Sequence, residues 1–183
     1  IVACLVGSEM CIRDRIRMGF EIAETRNGAP ADGVRRVSCI DKSNVTRGCQ
    51  LFRSTFDEVA ADYPGTEADY GYIDAFMQWI TRSPEHYDTV VTSNMFGDIS
   101  TDLGAVLQGG MGMAASGNIG DEHAFFEPVH GSAPKHAGQN KVNPIASINS
   151  IQMMMDYLGR KNNDDDLVAV GRLIDESVAE WSV

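Results

Sequence analysis

Asp88-Thr89-Val90-Val91-Thr92-Ser93-Asn94-Met95-Phe96-Gly97-Asp98-Ile99-Ser100-Thr101-Asp102 runs from a short apolar stretch into a polar one, and then into the apolar residues 103–107. Residues 88–92 are rich in β-branched types and read as a strand. From Asp98 onward the pattern reads as a helix. Strand, turn and helix in this order are the repeat of α/β proteins. Asp98 and Asp102 stand four apart, so a helix places them on one face. Two like charges held that close repel unless a cation lies between them. The spacing therefore suggests a hard-metal site at the mouth of the strand–turn–helix unit. The alternative is a solvated first turn, where Asp serves capping and the helix dipole.

Outward from this stretch, strands alternate with helices. Residues 16–26 read as an amphipathic helix with Ile16, Phe20, Ile22 and Ala23 as its apolar positions, broken by the Gly/Pro/Asp-rich residues 27–33. Residues 34–40 are strand-like and 41–48 form a polar loop. Residues 51–63 are helical, with Leu51, Phe52, Phe56, Val59 and Ala60 on one face and Pro64-Gly65 as the stop. A strand over 68–73 and a helix over 75–81 precede the opening stretch. Gly109-Gly110-Met111-Gly112 ends the helix that begins at Asp98. Two more helices are expected over 145–158 and 164–181. The acidic run 162–166 reads as an N-cap with a solvated first turn, and Met153-Met154-Met155 as core filler. No Gly-x-Gly-x-x-Gly fingerprint and no P-loop occur, so a nucleotide would have to be bound another way.

Composition narrows the function classes. The 183 residues suit one ordinary domain or a piece of a larger chain, and 43% hydrophobic content supplies a core. Fifteen Lys and Arg against 26 Asp and Glu give a net charge of −11, which argues against a nucleic-acid surface. No apolar run has the length of a membrane span. Cys4, Cys11, Cys39 and Cys49 show no metal-ligand spacing, and a reduced, cytoplasmic chain is the simplest reading. Residues 1–15 lack an initiator Met, a basic n-region and a small-residue cleavage site. The string from Cys4 to Arg15 resembles translated adapter read-through. Residues 1–15 are read as a non-native leader and 16–183 as the body.

Three further motifs bear on the aspartate pair. Asp41-Lys42-Ser43-Asn44 follows a strand directly; a Lys beside a divalent cation has its pKa depressed and serves as a base. Tyr72-Ile73-Asp74 is again a strand running into an acid, and strand ends at the carboxyl edge of α/β sheets collect ligands. A plain helix N-cap is the other reading of Asp74. Glu127-Pro128-Val129-His130-Gly131-Ser132-Ala133-Pro134-Lys135-His136-Ala137-Gly138, closing at Asn143-Pro144, is long, irregular and rich in turn formers. Long ordered loops tend to be functional, and its small residues let a flat ligand approach the backbone.

Asp41-Lys42-Ser43-Asn44-Val45, Tyr72-Ile73-Asp74, the run from Asn94 to Asp102 and the run from Glu127 to Pro134 together resemble the β-decarboxylating dehydrogenases, the isocitrate/isopropylmalate dehydrogenase family. The four motifs fall in the family's order and spacing, from about residue 16 to the end. The resemblance implies an α/β subunit with a mixed sheet flanked by helices, no conventional Rossmann fingerprint, and only its C-terminal part present here. It implies NAD(P)- and Mg²⁺- or Mn²⁺-dependent oxidative decarboxylation of a (2R)-hydroxy acid of the malate type: 3-isopropylmalate, isocitrate or tartrate/D-malate. It further implies a homodimer with a shared active site. Asp98 and Asp102 would hold the cation from one subunit and Asp74 would complete the site from the partner. Lys42 would take the 2-hydroxyl proton, directly or through water. Asn44 would lie near substrate and nicotinamide, and Glu127 on the nicotinamide side. His130, Gly131, Ser132, Ala133 and Asn143 would wrap the adenosine.

One departure concerns the cofactor. Lys135 stands after Ala133-Pro134, where NAD-using members usually carry Asp. A Lys attracts a 2′-phosphate and His136 adds a second donor, so NADP is favoured over NAD. The flanking residues divide between the tartrate/D-malate and isocitrate branches. The substrate-binding arginines and the acid tyrosine of the family belong to an N-terminal half that is missing here, so the chain alone is expected to be inactive. Two other readings stay open: a non-redox metal enzyme using Asp74, Asp98 and Asp102, and a non-catalytic interaction domain in which these acids are caps.

Overall fold

Strand β2 (Arg36–Asp41) is buried along its whole length, which is what a strand covered on both faces requires. It pairs in parallel with β3 (Glu67–Tyr72) on one side and with β4 (Thr89–Ser93) on the other. In the computed structural model, which describes residues 2–4, 9–120 and 122–181, β1 (Val2–Cys4) extends the sheet beyond β4 to give the order β1-β4-β2-β3. The chain divides into two compact units, Ile1–Gly104 and Ala105–Val183.

In the first unit the sheet is covered on both faces, and its side chains alternate accordingly. Val37, Cys39 and Val91 point to one face. There they meet Ile16, Phe20 and Ala23 of α1 (Glu9–Thr25) and Phe52, Phe56 and Val59 of α2 (Arg47–Ala60). Ile40 and Val90 point to the other face. They meet Phe76 and Ile80 of α3 (Ile73–Arg82), with Leu103 of α4 (Asn94–Leu107) packed alongside. Helix α1 lies so close to β4 that a Cβ at position 19 would overlap Val91 Cγ2, so Gly19 is required by packing. Buried Arg36 ties the amino end of the sheet together. It donates from Nε to Glu67 (2.6 Å), from Nη2 to Asp32 (2.8 Å) and from Nη1 to the His86 carbonyl (2.7 Å). A buried guanidinium is tolerable only when its donors are satisfied in this way.

The second unit is built on a two-stranded antiparallel ribbon, β5 (Ala115–Ile119) with β6 (Ala124–Pro128). Helix α5 (Ile145–Asn162) packs on the ribbon, with Phe126 and Tyr157 ring centroids 5.6 Å apart, and α6 (Asp165–Trp181) packs on α5. Asp164 Oδ1 accepts the N–H groups of Asp166 and Leu167 at 3.1 and 3.2 Å, the cap expected from the acidic run. Parallel and antiparallel pairing are thus divided between two sheets.

Several local expectations shift. Helix α1 starts at Glu9 rather than 16, with Ile12 against the core and Arg13 paired with Glu58. Of the leader expected over 1–15, residues 1 and 5–8 lie outside the described residues. Leu51, expected on the apolar face of α2, is 44% exposed; the helix begins four residues earlier than expected, and its buried stripe runs Phe52, Thr55, Phe56, Val59. Met153, Met154 and Met155 are half-buried rather than core, because α5 is covered by the ribbon and α6 on only part of its surface. Strand β5 was not anticipated, since Ala115-Ser116-Gly117-Asn118-Ile119 has little β-propensity; its partner β6 imposes it.

Phe56→Ala is expected to cost about 3–5 kcal/mol in urea unfolding, because it empties a fully buried aromatic site, and Leu51→Ala about 0.5 kcal/mol. Equal losses would contradict the assignment of the α2 stripe.

Candidate active site

All four strands of the sheet are parallel, so their carboxyl ends open on one edge. Register then decides which residues meet there. Asp41 is opposite Tyr72, and Ile40 is opposite both Gly71 and Thr92. The Thr92 hydroxyl donates to the Ile40 carbonyl at 2.6 Å, securing β4 against β2 at this end. One residue beyond Asp41 is Lys42, and two beyond Tyr72 is Asp74. Their side chains form an ion pair, Lys42 Nζ to Asp74 Oδ1. Lys42 Nζ also lies 5.7 Å from the centre of the Tyr72 ring, within cation–π range.

Asp74 is therefore not a cap. The N-cap of α3 is Tyr72, without a side-chain bond, and Asp74 is the second helical residue. The bond from Lys42 holds the Asp74 carboxyl below the ordinary value of 3.8, helped by backbone N–H groups of the first turn. Lys42 itself is set in a tight turn. Its carbonyl accepts the N–H groups of Val45 and Thr46 at 2.9 and 3.0 Å, and Thr46 caps α2 through Cys49 N–H. Asn44 is exposed within this turn.

The residue that sets the direction of the turn is Asp41. Its carboxylate is 1% exposed and fully engaged. Arg53 of α2 donates to it twice, Nε to Oδ2 at 2.7 Å and Nη2 to Oδ1 at 3.0 Å, and Ser43 N–H donates to Oδ1 at 2.8 Å. Burial pulls the Arg53 guanidinium down, but its bonds and proximity to Asp41 outweigh this and raise it. Its carbon lies 5.2 and 5.3 Å from the Tyr70 and Tyr72 ring centres. Burial, with a bond donated to Asp57, pushes the Tyr70 phenol up to about 12. Burial and the Asp41 charge push the Cys39 thiol up as well, which leaves it a poor nucleophile.

Asp98 and Asp102 lie on α4, which begins at Asn94 rather than at Asp98. They are the fifth and ninth helical residues, and no acid occupies the first turn. The capping and dipole account of these acids therefore fails, since that benefit falls off beyond the first turn. Both are exposed on one face, and Asn94 Nδ2 donates to Asp98 Oδ2 at 3.2 Å. Ser100 and Thr101 turn their hydroxyls back to helix carbonyls, Thr101 to Gly97 at 2.7 Å. Oxygen-only donors of this kind suit a hard cation. Among the described residues, no three His, Cys, Asp or Glu side chains of the chain are arranged to hold a metal ion. Two carboxylates from one chain need further donors from elsewhere.

In the second unit, Glu127 is exposed on β6 opposite Ser116. The loop after it is anchored at both ends. Val129 N–H donates to the Ala114 carbonyl (3.0 Å), and Asn143 Oδ1 accepts from Ile145 N–H (3.0 Å) while its Nδ2 reaches Met113 Sδ (3.2 Å). Between these anchors His130 contacts the Gly131 carbonyl through Nδ1 at 2.8 Å, and residues 131–144 are all exposed. Ala133 is left-handed (φ 45°) and leads into the 3₁₀ turn Pro134–His136, which displays Lys135 and His136. Gln139 Nε2 donates to the Lys135 carbonyl and braces the turn. The sequence alone assigns no role to Asp41, Arg53 or Tyr72. The available signal was an acid ending a strand buried on both faces, which requires a cationic partner.

The isocitrate/isopropylmalate dehydrogenase family model matches residues 5–180. The 3-isopropylmalate dehydrogenase of Clavibacter sepedonicus is 45% identical over 148 residues, covering 79% of this chain and 40% of that protein. The homoisocitrate dehydrogenase of Methanocaldococcus jannaschii is 46% identical over 151 residues, covering 82% and 42%. The crystal structure of isocitrate dehydrogenase from Methylococcus capsulatus superposes with a TM-score of 0.81 at 35% identity, covering 96% of this chain and 48% of that one. The chain thus spans about two fifths of the length of the curated relatives it matches.

Because the Asp74 carboxyl is depressed in the fold, its contribution is present above the ordinary value and is lost as pH falls through the lowered one. Carboxyl ¹³C titration should give Asp74 a midpoint below 3.8, returning toward 3.8 in Lys42→Met. A midpoint at or above 3.8 in the unsubstituted chain would rule out the pair.

Proposed function

The chain belongs to the isocitrate/isopropylmalate dehydrogenase family, and from that premise we propose that it is part of a dehydrogenase subunit that oxidatively decarboxylates a malate-type 2-hydroxy acid with NAD(P) and Mg²⁺ or Mn²⁺. The observation that carries this reading is the pairing of Lys42 with Asp74 at the carboxyl edge of a parallel sheet. The exposed oxygen pair Asp98 and Asp102 on α4 supports it.

Asp98 and Asp102 of one protomer, with Asp74 of the partner subunit, would hold the cation. The donor chemistry fits, because all three are carboxylates and only Oδ1 of Asp74 is taken by Lys42. When bound, the cation would polarise the substrate's 2-hydroxyl and C1 carboxylate, and the nicotinamide would accept the C2 hydride. Lys42 would accept the hydroxyl proton as C2 is oxidised. The resulting β-keto acid would then lose the carboxylate β to the new carbonyl as CO₂, its bonding electrons passing to that carbonyl as an enol that is afterwards protonated at carbon. Asn44, in the same turn as Lys42, would lie near substrate and nicotinamide, and Glu127 would serve the nicotinamide side.

The loop from His130 to Asn143 takes the adenosine of the dinucleotide. Its exposed small residues Gly131, Ser132 and Ala133 leave backbone groups open to a ligand. Lys135 and His136, displayed on one turn, make a 2′-phosphate the better fit, so NADP is the favoured cofactor. A non-redox metal enzyme would leave this loop without a role. The shared site requires a homodimer. None of the described helices is long and apolar enough to cross a membrane.

Two outcomes test the reading in the full-length subunit. Asp74→Asn and Asp98→Asn should each abolish turnover, and refolding them together should restore about a quarter of it, since half the dimers then carry one intact site of two. No recovery in a confirmed mixed dimer would contradict the shared site. Lys135→Asp should shift the NADP:NAD ratio of kcat/KM toward NAD by about tenfold or more, the value of a charge-assisted hydrogen bond. An unchanged ratio would remove Lys135 from cofactor choice.

A further inference from the structure

We propose that Arg53, acting through Asp41 and Tyr72, is the positioning residue of the Lys42 amine. This rests on the reading of Lys42 as the base. Lys42 is flanked by two residues held on one carboxylate. Asp41 ends β2 with both oxygens engaged, and Ser43 N–H is bonded to Oδ1 of that same group. The backbone on either side of Lys42 is therefore clamped, and the far jaw of the clamp is the Arg53 guanidinium. A further link joins the turn to α2, where Gln50 Nε2 donates to the Ser43 carbonyl at 2.9 Å.

The same guanidinium acts a second time on the side chain. It lies 5.3 Å from the Tyr72 ring centre, and Lys42 Nζ lies 5.7 Å from that ring. One aromatic ring, at the end of the strand that leads to Asp74, thus receives both cations. Asp41 and Tyr72 are direct register partners, so carboxylate and ring are presented side by side by backbone pairing. Arg53 contacts both at once. A planar fork with five donors can bond bidentately to a carboxylate while stacking over a ring; an ammonium cannot do both.

Base catalysis requires an amine placed within a fraction of an ångström of the proton it takes. A displacement of about 1 Å costs on the order of 10²-fold in rate. Binding of the hydroxy acid and the cation depends less on where Lys42 Nζ lies, because that amine is bonded to Oδ1 of Asp74 and not to Oδ2. Loss of Arg53 should therefore lower kcat and leave KM alone.

The test is made in the full-length dimeric enzyme. Arg53→Met alone leaves Asp41 buried without its partner and is prone to unfold. The working variant is Asp41→Asn with Arg53→Met, which removes both charges; Arg53→Lys keeps the charge but loses the fork. The double variant should lose about 10²-fold in kcat, with substrate KM and Mn²⁺ affinity within about threefold of the parent. Arg53→Lys should fall between the two. A folded double variant with unchanged kcat would overturn the proposal. So would parallel losses in kcat, KM and Mn²⁺ affinity, or failure of both variants to fold, since either marks a purely structural pair. Lys42→Met separates the two levels of inference. If it keeps turnover, the base assignment itself falls; if it is inactive while the double variant is normal, only the role of Arg53 falls.

Discussion

Parallel pairing of β2 with both of its neighbours is the constraint from which the site follows. Parallel strands send all their carboxyl ends to one edge, and a half-buried antiparallel arrangement would scatter them. With Asp41 opposite Tyr72, the residues leaving the sheet next are Lys42 on one strand and Ile73-Asp74 on the other. A register slip of one residue would reverse the faces of Val37, Cys39 and Ile40 and strip the core from one side. Packing of Phe20, Phe56 and Phe76 against the two faces of the sheet thus fixes, indirectly, the meeting of Lys42 with Asp74.

Placing charge at such an edge has a cost that the fold meets locally. Asp41 is removed from water at the end of a buried strand, and Arg53 reaches it from α2. At the opposite end of the same strand Arg36 is the buried charge, and Asp32 and Glu67 meet it. Strand β2 therefore has an ion pair at each end, with Val37, Cys39 and Ile40 supplying the core between. The carboxyl-end pair leaves Lys42 outside it, beside Asp74 and exposed enough to meet a ligand.

Much of this was legible in the sequence. The alternation of β-branched strands with amphipathic helices gives the α/β class, and Lys42 and Asp74 fall just beyond strand ends as expected. Asp98 and Asp102 were read correctly as sharing a helix face, yet their place in the helix was misjudged. Asn94-Met95-Phe96-Gly97 does not announce a helix start, because Asn94, Phe96 and Gly97 have weak propensity. What could not be read was pairing across the sheet. The links from Arg53 to Asp41 and from Tyr72 to Arg53 depend on register and on the rotation of α2, neither of which local pattern encodes. Strand β5 was hidden for the same reason, since only β6 makes it a strand.

The central claim is that carboxylates from two copies of this chain complete one cation site at the sheet edge. It is tested most directly by anomalous diffraction from crystals of the full-length dimer with Mn²⁺. The expected result is one peak per site about 2.1 Å from oxygens of Asp98 and Asp102 of one protomer and of Asp74 of the partner subunit. A peak bound by carboxylates of a single protomer, or none near α4, would contradict it.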